Sequence, residues 1–224
     1  MGDSIVSLLP VMIGATLVPL YPIIVLLLLQ SDGGLLKATA FVAGAVLARL
    51  VQGVLFGFVF GRAAEAYPVD GPDVIASTLL LVVSILLLVT AFRKWRKEAD
   101  PDDPPPKWMT TITGLSTAQA FGAGALFVTI AFKQWVFTLT AIDLIAAAGL
   151  GREASVGVYL FYTLVTQTLA LIPLLAMAVA PRQAAKPVQA AQVWLERYNR
   201  PIVITVSLVF GLWFLYKGIT GLIA

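Results

Sequence analysis

The chain has 224 residues, of which 59% are hydrophobic and only 12% charged, and its mean hydropathy is +0.93. So little charge cannot cover so much apolar surface in water, which excludes a soluble globule. The absence of Cys and His excludes disulfides, thiol redox chemistry, thiolate metal sites and histidine proton switches, and the net charge of +3 is too small for a nucleic-acid-binding face.

The apolar residues fall in long runs, the signature of membrane-spanning helices. Six are expected. The first, about Ile5 to Gln30, contains Pro10, Pro19 and Pro22. It has no basic leader and is too long for a signal-peptide core, so it reads as a retained span. A Ser31–Gly34 turn leads to the second span, about Leu35 to Phe60. A polar stretch, Gly61 to Pro72, precedes the third, Asp73 to Phe92. The charged segment Arg93 to Lys107, ending in Pro104, Pro105 and Pro106, reads as a stiff solvated linker. The fourth span covers Ala118 to Ala148 and the fifth Ala154 to Ala180, with a tight turn at 149–153 between them. A basic loop, Pro181 to Arg200, leads to the sixth, Pro201 to Ala224.

Basic residues set the expected orientation. With six crossings, Lys37, Arg93, Lys94, Arg96, Lys97, Lys107, Arg182, Lys186, Arg197 and Arg200 share one side, against Arg62, Arg152 and Lys217 on the other. The excess of Lys and Arg in cytoplasmic loops places the linker in the cytoplasm and both termini outside the inner (cell) membrane. The linker divides the chain into residues 1–92, 93–117 and 118–224, with three spans in each flanking part. Three crossings per part invert the second part relative to the first. The expected fold class is therefore all-α integral membrane, with six transmembrane helices as two inverted three-helix repeats, an arrangement found in transporters.

Polar residues inside the apolar runs mark the candidate site. Pro19 and Pro22, three apart with Gly14 and Thr16 just before, point either to a packing kink or to a discontinuous first span lining a cavity. Arg49 lies mid-way along the second span, and Lys133 mid-way along the fourth beside Gln134. A charge at that depth costs about 2.5–3.5 kcal/mol, so both should face a polar cavity, an anionic ligand or a structural ion-pair partner. Asp143 is the acidic residue available, but ten residues from Lys133 it lies about 15 Å along the same helix. Gln52 shares the Arg49 face, and Thr163, Thr166 and Gln167 occupy the middle of the fifth span. Glutamine and threonine also serve simply to bond neighbouring helices. The third and sixth spans carry only Ser84 and Ser207 at that depth and read as scaffold.

Three stretches resemble the lysine-exporter superfamily, and within it the glycolipid- or sulfolipid-addressing (GAP/Sap) family. They are Leu9-Pro10, Gly14-Ala15 and Pro19-Leu20-Tyr21-Pro22-Ile23; Lys37 to Gly44; and Pro106-Lys107-Trp108-Met109 with Ala120 to Leu126. The resemblance implies two inverted triplets and transport of glycolipids or small solutes. The family usually carries Asn-Pro-Lys in the fourth span. Here Ala131, Phe132 and Lys133 stand there, keeping the lysine but not the helix-breaking pair, and Arg49 is not part of the family pattern.

The leading expectation is an exporter of a small solute or amphiphile with an anionic group, held by Lys133, Arg49, Gln134, Gln52, Thr16, Pro19, Pro22, Gln167 and Thr166. The alternative is a non-transporting scaffold that assists a lipid-export machine. No nucleophile–base pair, metal cluster or phosphate loop points to an enzyme or a cofactor. Expected partners are membrane lipids and a lipid-like or small-molecule substrate, not nucleic acid. Glycines and alanines on the second, fourth and fifth spans permit close packing within the chain or between copies in a homo-oligomer.

Overall fold

The computed structural model describes residues 2–66, 74–96 and 107–223, and no strand occurs among them. The helices are α1 (Gly2–Thr16), α2 (Leu20–Leu29), α3 (Gly34–Ala66), α4 (Val74–Arg96), α5 (Lys107–Thr113), α6 (Thr117–Ile130), α7 (Phe132–Ala147), α8 (Arg152–Thr166), α9 (Thr168–Val179) and α10 (Pro181–Ile223). Three of them, α3, α4 and α10, contain stretches long and apolar enough to cross a membrane. The pairs α1–α2, α6–α7 and α8–α9 reach that length when each is taken as one bent span. The chain is a multi-pass membrane protein.

Each break has its own local cause. The first bends the chain by 46°. Pro19 is the N-cap of α2 and Pro22 lies in its first turn, where a missing N–H disrupts no helical bond. The Thr16 hydroxyl donates to the Met12 carbonyl at 2.7 Å, tying off the end of α1. The second break, 68°, falls at Ala131 (φ −69°, ψ 88°) without any proline. There the Trp135 indole N–H donates to the Thr129 carbonyl at 2.6 Å, serving an acceptor at the end of α6. The fourth span is thus discontinuous although the Asn-Pro pair is absent.

The third break divides the fifth span, expected as one helix, into two. The chain bends by 67° at Gln167, which ends α8 and begins α9. The Thr166 and Thr168 hydroxyls donate to the carbonyls of Thr163 and Leu164, at 2.9 and 3.4 Å. Such side-chain bonding to the preceding turn competes with the helical ladder and bends it. A second correction concerns Pro181 to Arg200, which is not a loop but the first half of the 43-residue α10. Pro181 occupies the first helical position, which proline favours, and alanines fill the following turns. In the linker, Arg93–Arg96 is the last turn of α4 and Lys107–Thr113 is α5, while 97–106 lies outside the described residues.

The breaks divide the apolar interior in two. One core joins Tyr21 and Ile24–Leu29 of α2, Ala38–Ala45 of α3, Ala120 and Val128 of α6, Ala170 and Leu174 of α9, and Ala184 and Val188 of α10. The other joins Leu8–Ala15 of α1, Val83 and Leu87 of α4, Val136–Ile145 of α7, Val158 and Tyr162 of α8, and Phe214 of α10. Each bent span therefore gives one half to each core, and all three breaks lie between the cores.

The first core is built on a close crossing of α3 and α6. Ala40-Phe41-Val42-Ala43-Gly44-Ala45 and Ala120-Phe121-Gly122-Ala123-Gly124-Ala125 are nearly the same sequence. Gly44 lies against the Phe121 carbonyl and Gly124 against the Phe41 carbonyl, so the contact is reciprocal. Only glycine lets two helix backbones approach so closely, an arrangement that favours Cα–H···O contacts. The rings of Tyr21, Phe41 and Phe127 pack beside the crossing, with centroids 5.4–6.3 Å apart. On the far side, α4 and α10 run antiparallel, Gly211 and Gly218 of α10 meeting Leu88 and Leu81. Gly149 and Gly151 take positive φ in the turn from α7 to α8, a conformation closed to most other residues.

Ser116 caps α6 with a reciprocal box: its hydroxyl accepts from Gln119 N–H, and Gln119 Oε1 accepts from Ser116 N–H. Ser116→Ala is expected to cost about 1 kcal/mol, read as a lower unfolding midpoint in detergent.

Candidate binding site

Arg49 lies one turn beyond Ala45 on α3, where the first core ends. Its residue is 2% exposed, and among the described residues it is the only charged one that is buried. Its Nη2 donates to Gln134 Oε1 at 2.7 Å across to the start of α7. The partner is a neutral amide, so nothing in that bond neutralises the guanidinium. Its Nε and Nη1 are buried without a hydrogen-bond partner among the described residues.

Other polar groups converge on the same layer. The Tyr159 hydroxyl donates to the Arg49 carbonyl at 2.6 Å and fastens α8 to α3. Gly53 makes this possible, since a side chain there would strike the Tyr159 ring. The Tyr162 hydroxyl lies near Arg49 and Thr138, and the Tyr21 hydroxyl near Gln167. Thr16 also donates to the Val165 carbonyl at 3.3 Å, joining the first helix break to the third. The side-chain polar atoms of Gln52, Gln167, Tyr21, Tyr162, Thr138 and Thr163 are buried and unpartnered among the described residues. Each such group costs about 1–3 kcal/mol if left dry, so this layer is built to be completed by water or a polar ligand.

The break geometry adds to the field. The N-termini of α2, α7 and α9 begin at this layer with amides the helices do not use, and the C-termini of α1, α6 and α8 end there with carbonyls. The two idle guanidinium nitrogens, the helix-start amides and the tyrosyl hydroxyls supply donors to this layer. It suits an anion carrying several acceptor oxygens. Among the described residues no group of acidic side chains could hold a metal ion.

The family model of Sap, sulfolipid-1-addressing protein, matches residues 8–220. The chain belongs to the Sap family. No curated protein and no solved structure matches it. The matched region takes in every helix that contributes to the polar layer of this Sap-family chain.

The structure joins Arg49 directly to Gln134 and places Gln52, Thr16, Thr166 and Gln167 in the layer around them. Pro19 and Pro22 shape the first break, and Pro22 is itself buried. Lys133 is the second residue of α7, next to Gln134, and its side chain lies outside those described. Sequence reasoning missed the tyrosines 21, 159 and 162. Their signal was present in the spacing: Tyr159, Tyr162 and Thr163 recur at i, i+3 and i+4 inside an apolar run, which places polar tips on one helix face.

Proposed function

We propose that this Sap-family protein is a membrane transporter that moves an anionic amphiphile of the glycolipid or sulfolipid type, held at the Arg49 layer. The supporting observation is the buried guanidinium, bonded among the described residues only to an amide, beside polar groups that find no partner among those residues where three spans break. The family is described as sulfolipid-addressing, and a sulfolipid headgroup carries the kind of multi-oxygen anion this donor set would hold. Lys133, at the start of α7, would add a second cation to the same headgroup.

In this reading the six spans form two inverted triplets. The chain passes from the second core to the first through α1–α2, and from the first to the second through α6–α7. Spans three and six likewise run opposite ways, α4 against α10. One triplet would rock against the other about the polar layer, exposing it to each side in turn. The reading assigns no covalent step and no cofactor. It places the protein in the inner membrane with both termini outside and the basic ends of α4 and α10 in the cytoplasm.

The test is flux in vesicles containing only the purified protein, with a fluorescent sulfated glycolipid analogue as cargo. Translocation is expected, and Lys133→Ala is expected to slow it about tenfold or more, the loss of one charge-assisted bond. Binding without translocation would favour the scaffold reading instead.

A further inference from the structure

The first half of α10 has a second face that none of the described residues covers. Ala184, Val188 and Leu195 pack into the first core. On the opposite side Arg182, Lys186, Val193, Trp194, Arg197 and Tyr198 recur at i, i+4, i+11, i+12, i+15 and i+16, one continuous helical stripe. Val193 and Trp194 are more than half exposed, and all six residues are exposed. The Trp194 and Tyr198 rings stack 5.3 Å apart, and the Arg197 guanidinium lies 5.8 Å over the Tyr198 ring.

Its level relative to the spans is fixed by Arg200. Arg200 Nε and Nη2 donate to the carbonyls of Lys94 and Trp95 at 3.1 Å, which caps the C-terminal end of α4. That end carries Arg93, Lys94 and Arg96, with Arg96 stacked over Phe92 and Trp95 exposed. Tryptophan with flanking cations marks the edge of a span. All of α10, at 43 residues, is about 65 Å long, roughly twice the hydrocarbon thickness. Its first half therefore extends beyond the span while packing against α2 and α9, and we place it at the membrane interface.

We propose that this stripe binds the headgroups of anionic phospholipids. Arg182, Lys186 and Arg197 hold the phosphates, and Val193, Trp194 and Tyr198 sit among the upper acyl carbons. A second copy of the chain fits poorly, because an isologous contact would oppose the three cations to one another. The acidic residue of this segment, Glu196, lies off the stripe and accepts from Gln192 at 2.8 Å. The inference does not depend on what the Arg49 layer transports.

The chain has no cysteine, so Val193→Cys in the full-length protein takes a single nitroxide label. Collisions of that label with oxygen and with an aqueous nickel chelate are compared in phosphatidylcholine bilayers and in bilayers containing phosphatidylglycerol. The label is expected to shift toward oxygen in the anionic bilayer, and Lys186→Gln with Arg197→Gln to return it to its phosphatidylcholine value. Equal depth in both bilayers, or a shift that survives the double substitution, overturns the proposal. So does dipolar broadening that dilution with unlabelled protein removes, since it would mean that a second copy covers the face.

Discussion

Arg49→Met is expected to raise the thermal stability of the protein by about 1–2 kcal/mol while weakening its binding of a sulfated amphiphile by about 10- to 100-fold. The two effects have one cause. A guanidinium at that depth has lost its hydration, and its one side-chain bond among the described residues is to the neutral Gln134 amide. Methionine fills similar volume without that desolvation cost. The same change removes the donors that an anionic headgroup would use. Gln134→Leu added to Arg49→Met should recover more stability, since it removes the amide left without its partner. Unfolding midpoints in detergent and equilibrium binding of the labelled lipid give the two readings. A variant that unfolds more readily and still binds would make Arg49 a structural pin and the polar layer no site.

Gly124→Ala is expected to cost about 3 kcal/mol or more, while Gly122→Ala, two residues away on the same helix, is expected to be neutral or to stabilise by up to about 1 kcal/mol. A Cβ at Gly124 would fall on the Phe41 carbonyl, and the neighbour there is backbone that cannot rotate away. A Cβ at Gly122 meets nothing within 4 Å, so alanine brings only its better helix propensity. Gly44→Ala, whose Cβ would strike the Phe121 carbonyl, should behave like Gly124→Ala. The three single variants compared by thermal unfolding check this; similar losses at 122 and 124 would place the close crossing elsewhere.

These glycines show how far local reading reaches. The two Phe-x-x-Gly hexapeptides are visible in the sequence, yet their reciprocal contact depends on bringing positions 80 residues apart to one crossing. Arg49 and Gln134 are similar: each stands out as polar in an apolar run, but the 2.7 Å bond between them is a tertiary fact. The break at Pro19 follows from proline's missing N–H and was legible. The breaks at Ala131 and Gln167 were not, because no residue there forbids a helix by itself. They persist because packing into two separate cores, with Trp135 and the threonine hydroxyls serving carbonyls near the breaks, outweighs the lost ladder bonds. The basic segment before the last span was misread as a loop because its charges hid the alternation of Ala184, Val188 and Leu195 on one face.

By itself the sequence determined the solvent. Apolar runs of this length with so few charges must lie in lipid, where every backbone group needs a partner and only helices provide one within a segment. It also determined which polar side chains are anomalous there, because the cost of burying charge does not depend on the fold. The tertiary structure decided where those side chains meet. Helices bend where neighbours can accept the bend, so the polar layer between the two cores exists only once α2, α6 and α9 have packed together on one side and α1, α7 and α8 on the other.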